Sequence, residues 1–410
     1  MNILYLSFDG MTDPLGRSQV IPYLEGLSEK GCFISIISLE KKDRFRKDFK
    51  EVNDILQSHN IEWYPIKYSS FIPIISALYN LFKIKNQLIE IFNAIRIDIV
   101  HCRSYLTSII GLWLKKKKGT KFIFDMRGLW PDERIDGKIW NLRNPFHYLI
   151  FKYFKRKEMQ FLNNADYVIC ITNKAKEEIL SWKNIHNNIN IEVIPCCVDL
   201  SLFNRENIDS ALLKSIQNEL KIPNKSLVVS YLGNIGTWYL FDEMLLFFKR
   251  LIMLKKDAIF LIISQNDKKF ILDRLKYFSI DYNNIRIVSA ERNIVPYYLS
   301  LSTVSVFFIK KCYSKIASSP TKLGEILGMG IPIICNSGIG DVDFILKANK
   351  CGFLVENCLE NDYSAILESI SNDNIFDRDV IVKVAKENFS LIEGVNKYFD
   401  IYKILNERKT

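Results

Sequence analysis

Short runs of β-branched and aromatic residues alternate with longer stretches of helical periodicity along most of the chain. Residues 2–8 read as a strand, 18–30 as a helix, 33–39 as a strand, 46–59 as a helix and 61–65 as a strand. A long amphipathic stretch at 74–95 leads to a strand at 97–101, a helix at 107–115 and a strand at 121–125. Strands at 167–172 and 191–195, with a helix between them, continue the pattern. The chain turns polar over 204–225, and then the alternation restarts. Strands are predicted at 227–232, 258–264, 285–289, 304–309 and 331–336, and helices at 241–255, 268–278, 295–302 and 321–329. A last helix, 392–407, has no strand after it. Such alternation predicts parallel sheets with helices on both faces. The fold class is therefore α/β, with two Rossmann-like domains. The expected division is 1–205, 206–385 and a terminal helical segment at 386–410 that packs back on the first domain. Two such domains facing each other would enclose a deep cleft, and ligands gather outside the carboxyl ends of the strands.

Composition changes this picture little. With 410 residues the chain exceeds one ordinary core. Its 48% hydrophobic and 25% charged residues suit a globular protein. The formal net charge is +10, with clusters at Lys115–Lys118 and at Lys152, Lys155, Arg156 and Lys157. Such a surface suits a phosphorylated ligand or anionic lipid, or is simply a solvated face. No zinc-finger spacing or RNA-recognition signature accompanies it, so nucleic acid is not an expected partner. Nine cysteines, Cys358 among them, form no CxxC pair and no metal-like spacing, which points to reduced thiols and a cytoplasmic chain. The chain enters a strand at once without a signal peptide, and no apolar stretch is long enough to span a membrane.

Chemistry concentrates in Ser318-Ser319-Pro320-Thr321-Lys322-Leu323-Gly324-Glu325, which ends in Gly330-Ile331-Pro332. Ser318, Ser319 and Thr321 precede and start a helix, whose first amides and dipole favour a phosphate. Lys322 adds a full positive charge. Glu325, one turn on, can accept from both hydroxyls of a ribose. The plain alternative is a Ser/Thr-capped helix with an exposed Lys-Glu pair.

This string resembles the donor-site motif of retaining glycosyltransferase family 4. Val193-Ile194-Pro195-Cys196-Cys197-Val198-Asp199 is similar to that family's interdomain segment. The stretches Ser7 to Gln19, Phe124 to Arg134 and Leu232 to Tyr239 are similar to loops of a bacterial surface-polysaccharide branch. The resemblance implies a GT-B fold. It also implies transfer of a sugar from a nucleotide-diphosphate donor, with UDP favoured, to a growing, lipid-linked glycan such as capsule, O-antigen or exopolysaccharide. Retention at the anomeric carbon, no metal and no cofactor beyond the donor are implied as well.

Carried over residue by residue, Glu325 takes the place of the family's ribose-holding glutamate. The partner glutamate, which touches the donor sugar, is replaced by Ala317. The basic pair that holds the diphosphate is replaced by Asn234 and Tyr239, so Lys322 and Arg127 become the candidates for that charge. Arg127 stands where many relatives have a catalytic-site histidine; a pairing with Asp125 or Asp132 is the structural alternative. Gly233, Gly236 and Thr237 offer a nest of amides, with Trp238 either stacking on the ligand or packing. Gly16 and Arg17 in the first loop, and Ser289 and Arg292 after a later strand, complete the donor side. On the acceptor side stand Asp9, His101, Asp132 and Glu133, each with a structural alternative. The apolar stretch 71–85, ending in lysines, is either a buried core helix or an interfacial helix that touches the inner face of the cytoplasmic membrane. Rival readings are a sugar-nucleotide 2-epimerase of the same architecture and an inactive partner subunit. A nicotinamide oxidoreductase is disfavoured because no G-x-G-x-x-G follows the first strand.

Overall fold

A computed structural model describes residues 1–356, 360–371 and 376–407. Cys358 and the last three residues of the expected terminal segment lie outside them. The chain divides into two compact units: residues 1–195 together with the segment from Leu391 onward, and residues 196–390.

The first unit holds seven strands: β1 Asn2–Ser7, β2 Phe33–Glu40, β3 Ile61–Lys67, β4 Ile99–Arg103, β5 Lys121–Asp125, β6 Tyr167–Cys170 and β7 Ile191–Val193. They pair in the order β3-β2-β1-β4-β5-β6-β7, and every pairing is parallel. Strands covered on both faces read as continuous apolar runs, as Ile3, Leu4, Tyr5 and Leu6 do. The order reverses between β1 and β4, the place where doubly wound sheets open a crevice at their carboxyl edge. The terminal helix Leu391–Glu407 packs against the helix Ile21–Glu29 in this unit.

Among the described residues the second unit holds six strands: β8 Val228–Leu232, β9 Ile259–Ile263, β10 Ile285–Val288, β11 Val304–Phe307, β12 Ile333–Asn336 and β13 Gly352–Val355. Their order is β10-β9-β8-β11-β12-β13, again all parallel, with the reversal between β8 and β11. The strand β13 has no counterpart among the sequence-based expectations.

The boundaries differ from 205/206 and 385/386. Residues 196–205 belong with the second unit because they pack along its helix Thr321–Gly328. The Cys196 N–H donates to Ser319 Oγ at 3.1 Å, and the Val198 N–H donates to the Phe389 carbonyl at 2.8 Å. The same bond keeps residues 386–390 in the second unit, as the end of the helix Arg378–Phe389. Nor is 204–225 a mere polar linker; it contains the helix Ser210–Glu219, capped by Asp209, whose carboxylate accepts from the Leu212 N–H. Among the described residues no helix is long and apolar enough to cross a membrane.

Candidate functional site

In the second unit the carboxyl edge at the β8–β11 reversal is built from the helix Thr321–Gly328 and the loop after β8. No side chain caps that helix; Pro320 stands at its N-terminal boundary. The Ser319 hydroxyl accepts from Cys196 instead, and Ser318 and Thr321 are half-buried. A Ser/Thr cap is therefore not what the serines provide. The Lys-Glu pair is not exposed either: Lys322 and Glu325 are each only 7% exposed.

Lys322 points its ammonium into aromatic rings. Its Nζ lies 3.7 Å from the Tyr239 ring centroid and 4.5 Å from that of Tyr231. Rings can hold a cation by their quadrupoles, worth roughly 0.5–2 kcal/mol. Against this, burial pushes the amine down to about 7, with the Glu325 carboxylate pulling it upward. Gly233, at φ +118°, makes the approach possible. A Cβ there would stand 2.7 Å from the Lys322 Nζ, and the backbone conformation itself favours glycine.

Glu325 Oε1 accepts from Arg292 Nη1 at 2.7 Å, and the Arg292 guanidinium lies 5.1 Å above the Phe203 ring. The second Glu325 oxygen has no partner among the described residues. Ser289, just past β10, is exposed. The loop after β8 is pinned by Asn266, which the sequence did not single out. Its Oδ1 accepts from the Ile235 N–H at 2.6 Å and its Nδ2 donates to the Ile235 carbonyl at 2.9 Å. With Ile235 fixed, Asn234, Gly236 and Thr237 remain exposed around it. The Tyr231 hydroxyl donates to the Asn234 carbonyl at 2.7 Å. Trp238 is half-buried, with the Lys315 ammonium 3.7 Å from its ring centroid. Lys315 is a second buried lysine, two residues before Ala317, and only its place near the motif could have marked it.

In the first unit the corresponding edge gathers the ends of β1, β4 and β5. His101 is 1% exposed. Its Nδ1 meets the Tyr402 hydroxyl at 2.7 Å and its Nε2 meets Asp125 Oδ2 at 3.3 Å. Burial lowers its pKa, and Asp125 only partly offsets this, so the ring is neutral. The Tyr398 hydroxyl also donates to Asp125 Oδ2, at 3.2 Å. The terminal helix thus encloses His101, and no acceptor hydroxyl reaches it in this conformation.

Arg127 lies just beyond β5 in the left-handed region, φ +55°, with Nη1 3.8 Å from Asp125 Oδ1. For Asp125 burial raises the pKa, but the nearby Arg127 and the His101 hydrogen bond outweigh it and hold the carboxylate ionised. Asp132 is drawn into a different network: Lys155 Nζ lies 2.9 Å from it and also pairs with buried Glu158. That makes Asp132 a structural partner. Glu133 is half-buried in the first turn of the helix Trp130–Asp136.

The first loop is tied inward. The Met11 and Thr12 N–H groups donate to the Glu40 carboxylate at 2.7 and 3.2 Å, so these amides are not turned toward a ligand. Gly16 is needed for a close approach of another kind: a Cβ there would lie 2.2 Å from the Gly10 carbonyl oxygen. Arg17 pairs with Glu51 at the surface. Asp9 is half-exposed, with Oδ2 3.5 Å from the Nε of Arg103, a residue absent from the sequence-based candidates.

Residues 20–202 match the family model for Glycosyltransferase Family 4. The first domain belongs to glycosyltransferase family 4. No curated protein matches the chain. Among solved structures, a glycosyltransferase from Rickettsia africae is 18% identical, with 98% of each chain covered and a TM-score of 0.69. A sucrose-phosphate synthase from Thermosynechococcus elongatus is 14% identical, with 100% of each chain covered and a TM-score of 0.72. HepE from Anabaena, in complex with UDP and glucose, is 11% identical, covering 98% of this chain and 99% of its own, with a TM-score of 0.69. At such identities the likeness establishes the fold: two Rossmann-like domains of the GT-B type, the first of them the family 4 domain.

Proposed function

We propose that this chain, whose residues 20–202 match the family 4 model, transfers a sugar from a UDP-sugar to a hydroxyl of a growing, lipid-linked bacterial surface glycan, with retention and without a metal. The reading rests chiefly on Lys322, Glu325 and Arg292 gathered at the carboxyl edge of the β8–β11 reversal, where α/β sheets take their ligands. Lys322 supplies from the helix the positive charge that a basic loop after β8 would otherwise bring. Glu325 keeps one oxygen for a ribose hydroxyl. The exposed amides at Gly236 and Thr237 suit phosphate oxygens. That HepE was solved with UDP and glucose favours uridine as the base.

In the proposed reaction the C1–O bond to the diphosphate breaks and a bond forms from C1 to the acceptor oxygen on the same face. The hydroxyl proton passes to the departing phosphate oxygen, and Lys322 stabilises the developing charge.

A lipid-linked acceptor and peripheral membrane contact are supported by the helix Pro73–Ala94. Ile75, Leu78, Tyr79 and Phe82 are all exposed on it, following Phe71 and Ile72. This helix packs on Ser104–Lys118, whose last turn is Lys115–Lys118. On the same helix the Lys83 ammonium lies 5.0 Å from the Tyr79 ring centroid, and apolar side chains interspersed with lysines suit an anionic bilayer surface.

The test is a thermal-shift panel of nucleoside diphosphates followed by NMR of the product. UDP should raise the melting temperature more than GDP or ADP, and the product should keep the donor's anomeric configuration. Inversion, or conversion of the UDP-sugar to an epimer without acceptor, overturns the reading.

A further inference from the structure

The first unit carries a buried cation that the fold itself leaves only partly matched. Arg103 ends β4, directly opposite Asp125 in the β4–β5 register. It is 5% exposed, and among the described residues neither Nε nor Nη1 has a hydrogen-bond partner. Asp9 Oδ2 lies 3.5 Å from Nε, on a side chain that is 44% exposed, and the Tyr5 hydroxyl also faces the guanidinium. Arg127 lies close enough that the two guanidiniums repel. Between them the buried counter-charge is Asp125, and that carboxylate already receives His101 and Tyr398 on Oδ2. Among the described residues its Oδ1 makes no hydrogen bond, and it lies 3.8 Å from Arg127 Nη1. Unsatisfied donors on a buried guanidinium are costly unless something occupies them. The cluster also sits at the carboxyl edge of the β1–β4 reversal, the ligand position of a doubly wound sheet.

From this geometry we infer that Arg103, with Arg127, is an anion receptor for a phosphate carried by the acceptor, and that Asp9 holds the place when no phosphate is bound. Arginine suits the task, since its fixed planar donors match phosphate oxygens and it stays charged when buried. Asp9 is then a competitor: it screens Arg103 and must turn outward, which its exposure allows. The inference rests on the glycosyltransferase reading for the word acceptor; the anion site is built from residues of the first unit, and the proposed UDP site from residues of the second.

The experiment titrates inorganic pyrophosphate by calorimetry into the full chain saturated with UDP. One further equivalent of pyrophosphate should bind. Arg103→Gln should weaken it tenfold or more, and Asp9→Asn should tighten it severalfold, while UDP binding by both variants stays within twofold of wild type. Arg103→Lys, with circular dichroism melts, separates loss of the site from loss of the fold. The Asp9→Asn gain supports the site even if Arg103→Gln does not fold. Three outcomes overturn the proposal: no pyrophosphate binding beyond UDP, no change in Arg103→Gln, or equal loss of UDP binding in that variant, which would give the arginines to the donor's diphosphate. Failure of UDP to bind wild type leaves the pyrophosphate arm readable, so the two readings fail separately. A second arm assigns the source of the phosphate. Arg103→Gln should raise KM for an alkyl-diphosphate-linked sugar acceptor and leave KM for the same sugar on a neutral alkyl chain unchanged. An equal rise for both removes the acceptor assignment.

Discussion

The helices Thr321–Gly328 and Pro73–Ala94 both depart from the usual sorting of side chains, in opposite senses. The first turns Lys322 and Glu325 inward, where each is nearly fully buried. The second, over its first turns, sends Ile75, Leu78, Tyr79 and Phe82 outward, all at least 45% exposed, and buries Ser76 and Asn80, before Ile84, Leu88 and Ile91 turn in. In the first, charge is held inside by aromatic rings and one arginine. In the second, the buried polar groups hold a loop: the Phe71 N–H donates to Ser76 Oγ at 2.5 Å, and Asn80 bonds both the Ser69 N–H and carbonyl, at 3.0 and 2.9 Å. Neither arrangement is the choice that maximises stability. A helix that buries charge points to chemistry at a small polar ligand, and one that exposes apolar side chains points to a surface partner.

The largest expected effect comes from removing the buried charge. Lys322→Met should lower the transfer rate by roughly 10²- to 10³-fold, the range for losing one preorganised electrostatic group. It should also stabilise the free protein. The Lys322 amine stands at about 7 in the fold, against 10.5 when unperturbed. Between pH 7 and 9.5 the unfolded chain therefore holds this proton and the folded chain does not. Stability from this group rises with pH through that window, by about 1.4 kcal/mol per unit at most, and the penalty is fully present below pH 7. In Lys322→Met that part of the slope should vanish. Denaturant melts of both proteins at pH 7 and 9.5 check it: equal slopes would mean the ammonium is not desolvated as the rings imply.

Next comes the outward face. Leu78→Glu with Phe82→Glu should reduce binding to vesicles of phosphatidylglycerol and phosphatidylethanolamine by about tenfold or more, since each side chain gives roughly 1.5–3 kcal/mol on full burial. Melting temperature and UDP binding should not change. Undiminished vesicle flotation would leave the face without its proposed partner.

Much of this was legible in the sequence because it depends on period. Continuous apolar strands, alternating with helices and restarting after residue 225, marked both sheets, and the string from Ser318 to Glu325 marked the edge of the second. What periodicity does not encode is which oxygen a buried donor meets. His101 read as a cleft residue because it ends a strand; Tyr398 and Tyr402, some 300 residues away, enclose it. Asp132 stands among the acceptor-side candidates of the sequence; Lys155, on another helix, pairs with it. Gly16 stands with the donor-side candidates of the sequence, and the space its missing Cβ leaves belongs to the Gly10 carbonyl. Nothing local in the sequence distinguishes Arg103, at the end of a strand, from a solvated arginine. The stretch 71–85 left a core helix and a surface helix equally open, since apolar residues on more than one side fit both. Ser76 and Asn80 decided it by facing in.

That decision can itself be tested, with the smallest effect of the set. If Asn80 fixes the face by bonding Ser69, then Asn80→Ala removes two hydrogen bonds and leaves two backbone groups to find water. The loss of stability should be about 1–2 kcal/mol, because residues 69–71 lie near the surface and solvent can replace part of what is lost. Asn80→Leu separates the two accounts of the helix. In a helix whose natural seat is the core, a leucine at an inward position would restore or exceed wild-type stability. In a helix held apolar-side-out by its loop, the leucine fills the inward site but leaves Ser69 unbonded, so stability stays below wild type. Hydrogen exchange at the Ser69 amide should then quicken in both variants, while the Phe71 amide, which Ser76 holds, serves as the internal reference. Protection unchanged at the Ser69 amide would show that the loop is held by something other than Asn80, and that the outward face has another cause.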